Sequence, residues 1–300
     1  MFANGLTYLA IPGPSVMPER VLRAMHRPAP NIYTGELHEL THGLVPDLKA
    51  VAGTAHNVAI YIANGHGVWE AALSNVIGPG DTVLVLATGR FCVGWGEMAE
   101  ALGATVQTID FGDSDAVDLA KLKAALQADK DGKIKAVLTV QVDTSTGVLN
   151  DVKGMRGVLD AVGHDALLMC DCIASLGCDA YHMDEWGVDV MIAASQKGLM
   201  TPPGIGFVFF GPKAQLARDV YQLAKHEKWI DAKDRIAAYK LYADLRGFIE
   251  KPGTTVNNNT LVDRRSVMVV TDHGTDEEWE AKLRAQQAAL THDATPIAVN

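Results

Sequence analysis

The sequence predicts an α/β protein, a mostly parallel sheet with helices on both of its faces. Two observations carry that expectation. Short apolar runs recur between residues 58 and 210, and most are nearly continuous in apolar residues rather than alternating, as strands covered on both faces should be. Longer amphipathic stretches separate the early runs, giving the strand–helix–strand rhythm of crossover-connected parallel strands.

The elements follow in order. VAIYIA (58–63) reads as a strand and leads into a helix over 67–77. TVLVLA (82–87) precedes a helix over 93–102, and ATVQTI (104–109) precedes one over 116–128. KAVLTV (135–140) is followed by a helix over 151–163. ALLMCD (166–171), VDVMIAA (188–194) and IGFVFF (205–210) complete a set of seven strands. After Gly211 the character changes. Residues 212–226 and 232–247 look helical, KPGTTVNNNT (251–260) is a polar break, and the tail holds a strand-like SVMVVT and a charged helix. The expected organisation is a large α/β domain over 1–211 and a small, shortened C-terminal region over 212–300.

Composition narrows the function classes. Of 300 residues, 48% are hydrophobic and 21% charged, which excludes intrinsic disorder and supplies a substantial core. The net charge is −10 with no basic run, so nucleic acid is not the expected partner. No stretch of about 18 apolar residues suggests a membrane span. The start, MFANGLTYLAIPGPS, has neither a basic leader nor a long apolar segment, so no signal peptide is expected and the protein is read as cytoplasmic. Cys92, Cys170, Cys172 and Cys178 lack the paired spacing of a zinc site and read as reduced thiols packed in a core. His38, His42 and His56 make no metal-ligand spacing, and no bound metal is expected. Trp95, Trp186 and Trp229 are scattered singly and read as packing residues.

Ligands of an open α/β sheet bind at the carboxyl ends of the strands, beside helix N-termini. Four strand ends carry candidate chemistry. Asn64-Gly65-His66-Gly67 opens a helix: it is either a phosphate cradle or an ordinary glycine turn. Asp171 ends an apolar run, where a carboxylate requires a cationic or hydrogen-bonding partner; it can equally cap the following turn. Lys197, in Ser195-Gln196-Lys197, is a solvated lysine or, in a partly apolar pocket, an amine able to form a Schiff base. Asp143-Thr144-Ser145-Thr146-Gly147 is a hydroxyl-rich turn.

Taken together, IPGPSVMPERVLRAM, ANGHGVWEAALSNVIGPGD, TSTGV, CDCIASLG, DEWGVDV and ASQKGLMTPPG stand in an order that resembles the class V aminotransferases. These are fold-type I pyridoxal-phosphate enzymes, among them the serine–glyoxylate and alanine–glyoxylate aminotransferases. The resemblance covers roughly residues 8–212, and the 26-residue separation of Asp171 and Lys197 fits it.

The resemblance implies a fold-type I pyridoxal 5'-phosphate transferase with a seven-stranded sheet between helices. It implies that Lys197 carries the cofactor covalently and later moves the substrate proton, and that Asp171 pairs with the pyridine nitrogen. Asn64, Gly65 and His66 would bind the cofactor phosphate, assisted by Gln196. Phe91 would stack on the ring, Thr144 would touch the ring-oxygen side, and Gly13 and Pro14 would line the substrate entrance. Glu70 would make a structural hydrogen bond. The implied reaction moves an amino group from a small L-amino acid (serine, or alanine or aspartate) to glyoxylate, in a homodimer whose subunits share each site. Family members are longer at the C-terminus, where an arginine clamps the substrate carboxylate. That role is not carried onto Arg264 or Arg265, and Thr254 or Thr255 are only faint candidates for a cross-subunit phosphate contact. The alternative expectation is a truncated or diverged chain that holds the cofactor with little or no turnover.

Overall fold

The computed structural model of the chain describes residues 10–214. β1 (Asn57–Ile62), β2 (Thr82–Ala87), β3 (Thr105–Asp110), β4 (Ile134–Val140), β5 (Leu167–Asp171), β6 (Val190–Ala194) and β7 (Ile205–Phe210) form one sheet in the spatial order β1-β7-β6-β5-β4-β2-β3. The contiguous set from β3 to β6 is parallel throughout. β7 runs antiparallel to both β6 and β1. Two reversals restore the direction, so β1 points the same way as the parallel set and its carboxyl end reaches the same sheet edge.

Six helices accompany these strands among the described residues: α1 (Glu19–Met25), α2 (Glu36–Ala52), α3 (Gly65–Val76), α4 (Arg90–Ala101), α5 (Leu119–Ala128) and α6 (Val152–Val162). α3 and α4 cover one face, where Leu73, Cys92 and Trp95 pack on Val83, Val85, Leu138 and Met169. α2, α5 and α6 cover the other, where Leu122, Leu126, Met155 and Leu159 pack on Leu84, Leu86, Val137 and Leu168. Successive residues of β2, β4 and β5 therefore serve opposite cores, which is the period-2 geometry of a strand buried on both sides. Burying each such leucine or valine contributes about 1.5–3 kcal/mol. Gly206 of β7 lets α3 lie close: a Cβ there would strike Val68.

Several helix ends follow from single residues. The side chains of Asn64, Asp118 and Asp151 accept first-turn amides and start α3, α5 and α6. Gly53 and Gly163 adopt the left-handed conformation that ends α2 and α6.

Four differences from the sequence reading stand out. β1 and β3 are the outer strands, not strands covered on both faces; Ile62 is 96% exposed, and in β3 only Val106 and Ile109 are half-buried while the other residues are exposed. α1 and α2 were not anticipated, because Pro46 and Gly43 interrupt the helical signal of the longer one. Helix starts shift: α4 begins at Arg90 instead of residue 93, α3 at Gly65 instead of 67, and α5 at Leu119 instead of 116. Cys92, Cys170 and Cys172 are buried as expected, but Cys178 is exposed. Trp95 is fully buried and Trp186 packs edge-on against Tyr181, in keeping with packing roles. No helix of the described residues is long and apolar enough to cross a membrane. The region expected over 212–300, apart from its first three residues, lies outside the described residues, as do Trp229, Thr254, Thr255, Arg264 and Arg265.

Candidate active site

The carboxyl ends of β1, β4, β5 and β6 and the N-terminus of α3 meet around one cleft of about 250 Å³. Its wall contains Asn64, Gly65, His66, Phe91, Thr144, Asp171, Gln196 and Lys197, the eight residues to which the resemblance assigned cofactor contacts. Gly13 and Pro14 also line it. Glu70 does not line it: its side chain is exposed and makes no hydrogen bond to another described residue, because its position on α3 faces away from the sheet.

At the foot of β1 the chain turns directly into α3. Asn64 Oδ1 accepts the Gly67 amide at 3.0 Å, so its side chain serves as the helix cap. The amides of Gly65 and His66 open the first turn, where backbone N–H groups have no partner within the helix and the dipole favours an anion. Gln196 stands in the same wall, and its buried amide oxygen has no hydrogen-bond partner among the described residues. An amide so placed can turn to present its NH2 to an anion.

Asp171 ends β5 with two hydrogen bonds. Oδ1 accepts the Ile173 amide at 2.7 Å and Oδ2 accepts the indole N–H of Trp69 at 2.7 Å. The turn-capping reading and the buried-anion reading thus describe one carboxylate. Burial pushes its carboxyl up to about 6; the two hydrogen bonds and the Lys197 charge oppose that rise, and the Asp143 charge adds to it. Such a group gains most from a cationic neighbour.

Lys197 follows β6, and its ammonium donates to the Pro12 carbonyl at 2.5 Å. Burial lowers its pKa from the ordinary lysine value, and the Asp171 charge partly restores it. The N-terminal loop is tied here a second time by the Ser15 amide, which donates to the Gln196 carbonyl at 2.7 Å. Gly13 has φ +126°, which demands glycine, and a Cβ on it would stand 2.6 Å from Lys197 Cδ and displace the end of that side chain.

Two contributors were missed in the sequence. Trp69 is 2% exposed, lines the cleft and reaches Asp171. Its place four residues beyond Gly65, one turn into a helix that starts at the strand ends, is the signal that could have found it. Asp143, read as part of an ordinary turn, is wholly buried and caps α4 from a neighbouring element: Oδ2 accepts the amides of Phe91 and Cys92 at 3.0 and 3.1 Å. Its Oδ1 accepts the Ser145 amide and hydroxyl at 2.9 and 2.6 Å. This fixes the start of α4 and therefore Phe91.

The donor set fits a phosphorylated aromatic aldehyde with a basic ring nitrogen. Helix amides and a side-chain amide whose oxygen has no partner among the described residues suit the phosphate, a desolvated carboxylate suits a ring cation, and an amine of lowered pKa suits a carbonyl.

Comparison with known proteins agrees with this chemistry. The aminotransferase class-V family model matches residues 7–225. The chain is similar to a serine–glyoxylate aminotransferase of Methylorubrum extorquens, 40% identical over 72% of this chain and 54% of that protein. It is similar to an L-aspartate–glyoxylate aminotransferase of Paracoccus denitrificans, 34% identical over 76% of this chain and 58% of that one. Among solved structures, an aspartate aminotransferase of Thermus thermophilus superposes with a TM-score of 0.66 at 27% identity, over 81% of this chain and 70% of that chain. The chain spans a little more than half the length of these two curated relatives.

Proposed function

The chain belongs to the class V aminotransferases, and from that premise we propose that its cleft holds pyridoxal 5'-phosphate and transfers an amino group from a small L-amino acid to glyoxylate. Serine is the first donor to expect, with alanine and aspartate next; the products are a 2-keto acid and glycine. One observation carries the proposal: the Lys197 amine, the Asp171 carboxylate and the α3 N-terminus line the same cleft. The names of the two glyoxylate relatives support the choice of acceptor.

When bound, the cofactor supplies an electron sink for the pair left on the substrate Cα when its proton departs. The chain's own residues do the rest. Gly65 and His66 amides, with Gln196, hold the phosphate. Asp171 keeps the ring nitrogen's proton in place by presenting a negative charge where little water reaches it. Phe91 would cover one face of the ring and exclude water, and Thr144 would offer a hydroxyl toward the ring oxygen, since both line the cleft. Lys197 is held with a lowered pKa, so a larger fraction of it is the neutral amine that can attack a carbonyl and then take and return the Cα proton at Nζ. Keeping that base beside the carbon it serves removes the cost of bringing the two together.

The working unit is proposed to be a homodimer, as the family builds each site from both subunits; sedimentation equilibrium then gives twice the chain mass. The activity test is the visible absorbance of the protein loaded with pyridoxal 5'-phosphate. L-serine should bleach the band and glyoxylate should restore it, with glycine appearing in step. A band that no amino acid changes would instead identify a chain that holds the cofactor without turnover.

A further inference from the structure

We propose that Trp69 is a positioning residue for Asp171: its indole N–H holds Oδ2 from the α3 side, so that the carboxylate is presented to the cleft as an acceptor for a cationic ring nitrogen. For that consequence the inference rests on the cofactor reading above; the contact itself does not.

The geometry is specific to tryptophan. The indole lies stacked on Trp95 with centroids 6.4 Å apart and an interplanar angle of 20°. Phe91 and His66 meet it edge-on at 6.2 and 4.7 Å. An aromatic ring of another kind could satisfy these neighbours, but only the indole nitrogen places a donor 2.7 Å from Oδ2. The other donor to Asp171 is the backbone amide of Ile173, which no side-chain change removes. Among the described residues, Trp69 therefore supplies the one hydrogen bond to this carboxylate that comes from a side chain, and it joins Asp171 physically to His66 and Phe91 in the cleft wall. The ionisable groups around Asp171 are Lys197 from the β6–β7 loop, Asp143 from the turn after β4, and the thiols Cys92 of α4 and Cys172 beside it; His66 lies beyond the indole. Only Lys197 among them stabilises the ionised form of Asp171, while Asp143 opposes it. Without the indole donor, the balance moves toward the protonated acid, which cannot pair with a ring cation.

The test is a carbon-13 NMR titration of the aspartate carboxyl groups in the full chain without added cofactor. The Asp171 resonance is identified by its loss in Asp171→Asn. In Trp69→Phe its midpoint should rise by at least about one unit, because one of two hydrogen bonds to the charged form is gone. An unchanged midpoint overturns the proposal. Should Trp69→Phe fail to fold, benzothienylalanine at position 69 keeps the indole shape and lacks only the N–H, and the same rise is required of it. With pyridoxal 5'-phosphate added at neutral pH, the variant should bind about tenfold more weakly, the equivalent of one unit; affinity equal to the parent's likewise contradicts the proposed role. Because the titration is made without cofactor, a parent chain that fails to bind pyridoxal 5'-phosphate would count against the proposed function and leave the Trp69 result standing.

Discussion

Asp171 loses most of its hydration on folding and receives two hydrogen bonds in exchange. The exchange is incomplete, since its carboxyl is pushed from the ordinary 3.8 up to about 6. Between those values the folded chain holds a proton that the unfolded chain has released, so the sign is fixed: unliganded stability falls as pH rises through that window. The full difference is ~3 kcal/mol, present above the folded midpoint. Asp171→Asn resembles the neutral acid and escapes the penalty. In urea unfolding, the variant should gain on the parent by up to ~3 kcal/mol as pH is raised from about 4 to about 7; a constant gap would contradict the assignment. At this scale, Lys197 and Asp171 were legible because each is a charged residue at the end of an apolar strand, within a spacing that the family shares. Trp69 was not, because its role exists only through a contact with a residue 102 positions away.

Between elements, the link from the turn after β4 to the start of α4 matters most for the site. Gly89 at the α4 N-cap has no side chain to accept the first amides, and Asp143 supplies the oxygen from outside the helix. Asp143→Ala would strand the amides of Phe91 and Cys92 and free the Ser145 turn. The expected cost is on the order of 3 kcal/mol or more by chemical denaturation, with weaker binding of pyridoxal 5'-phosphate as Phe91 loses its anchor. A variant as stable as its parent would show that other donors or acceptors compensate. The remote cap also explains why the start of α4 was read three residues late: helix-start signals are local, and this one lies in another element. α2 escaped for a related reason, since its proline and glycine are tolerated by packing that a sequence pattern does not display. Conversely, α3 and α6 begin within two residues of where they were read, each on its own capping side chain, whereas α5 was read from 116 although its cap is Asp118.

For the molecule as a whole, one sheet edge collects the phosphate-type helix terminus, the buried carboxylate and the amine. The parallel set and the number of strands could be read from continuous apolar runs joined by amphipathic helices. The place of β7 could not: an antiparallel strand buried between β6 and β1 is as continuously apolar as a parallel one, so IGFVFF says nothing of its direction. Nor could the outer positions of β1 and β3 be read, because partner strands, not composition, decide which strands stand at the edges. The central claim is that this architecture converges on Lys197. It is tested most directly by loading the full chain with pyridoxal 5'-phosphate, fixing the adduct with borohydride, and locating it by peptide mass spectrometry. The adduct should lie on Lys197 and be absent from Lys197→Ala, which should still bind the cofactor reversibly through the phosphate and ring contacts. An adduct on another lysine, or one that persists in Lys197→Ala, would contradict the assignment.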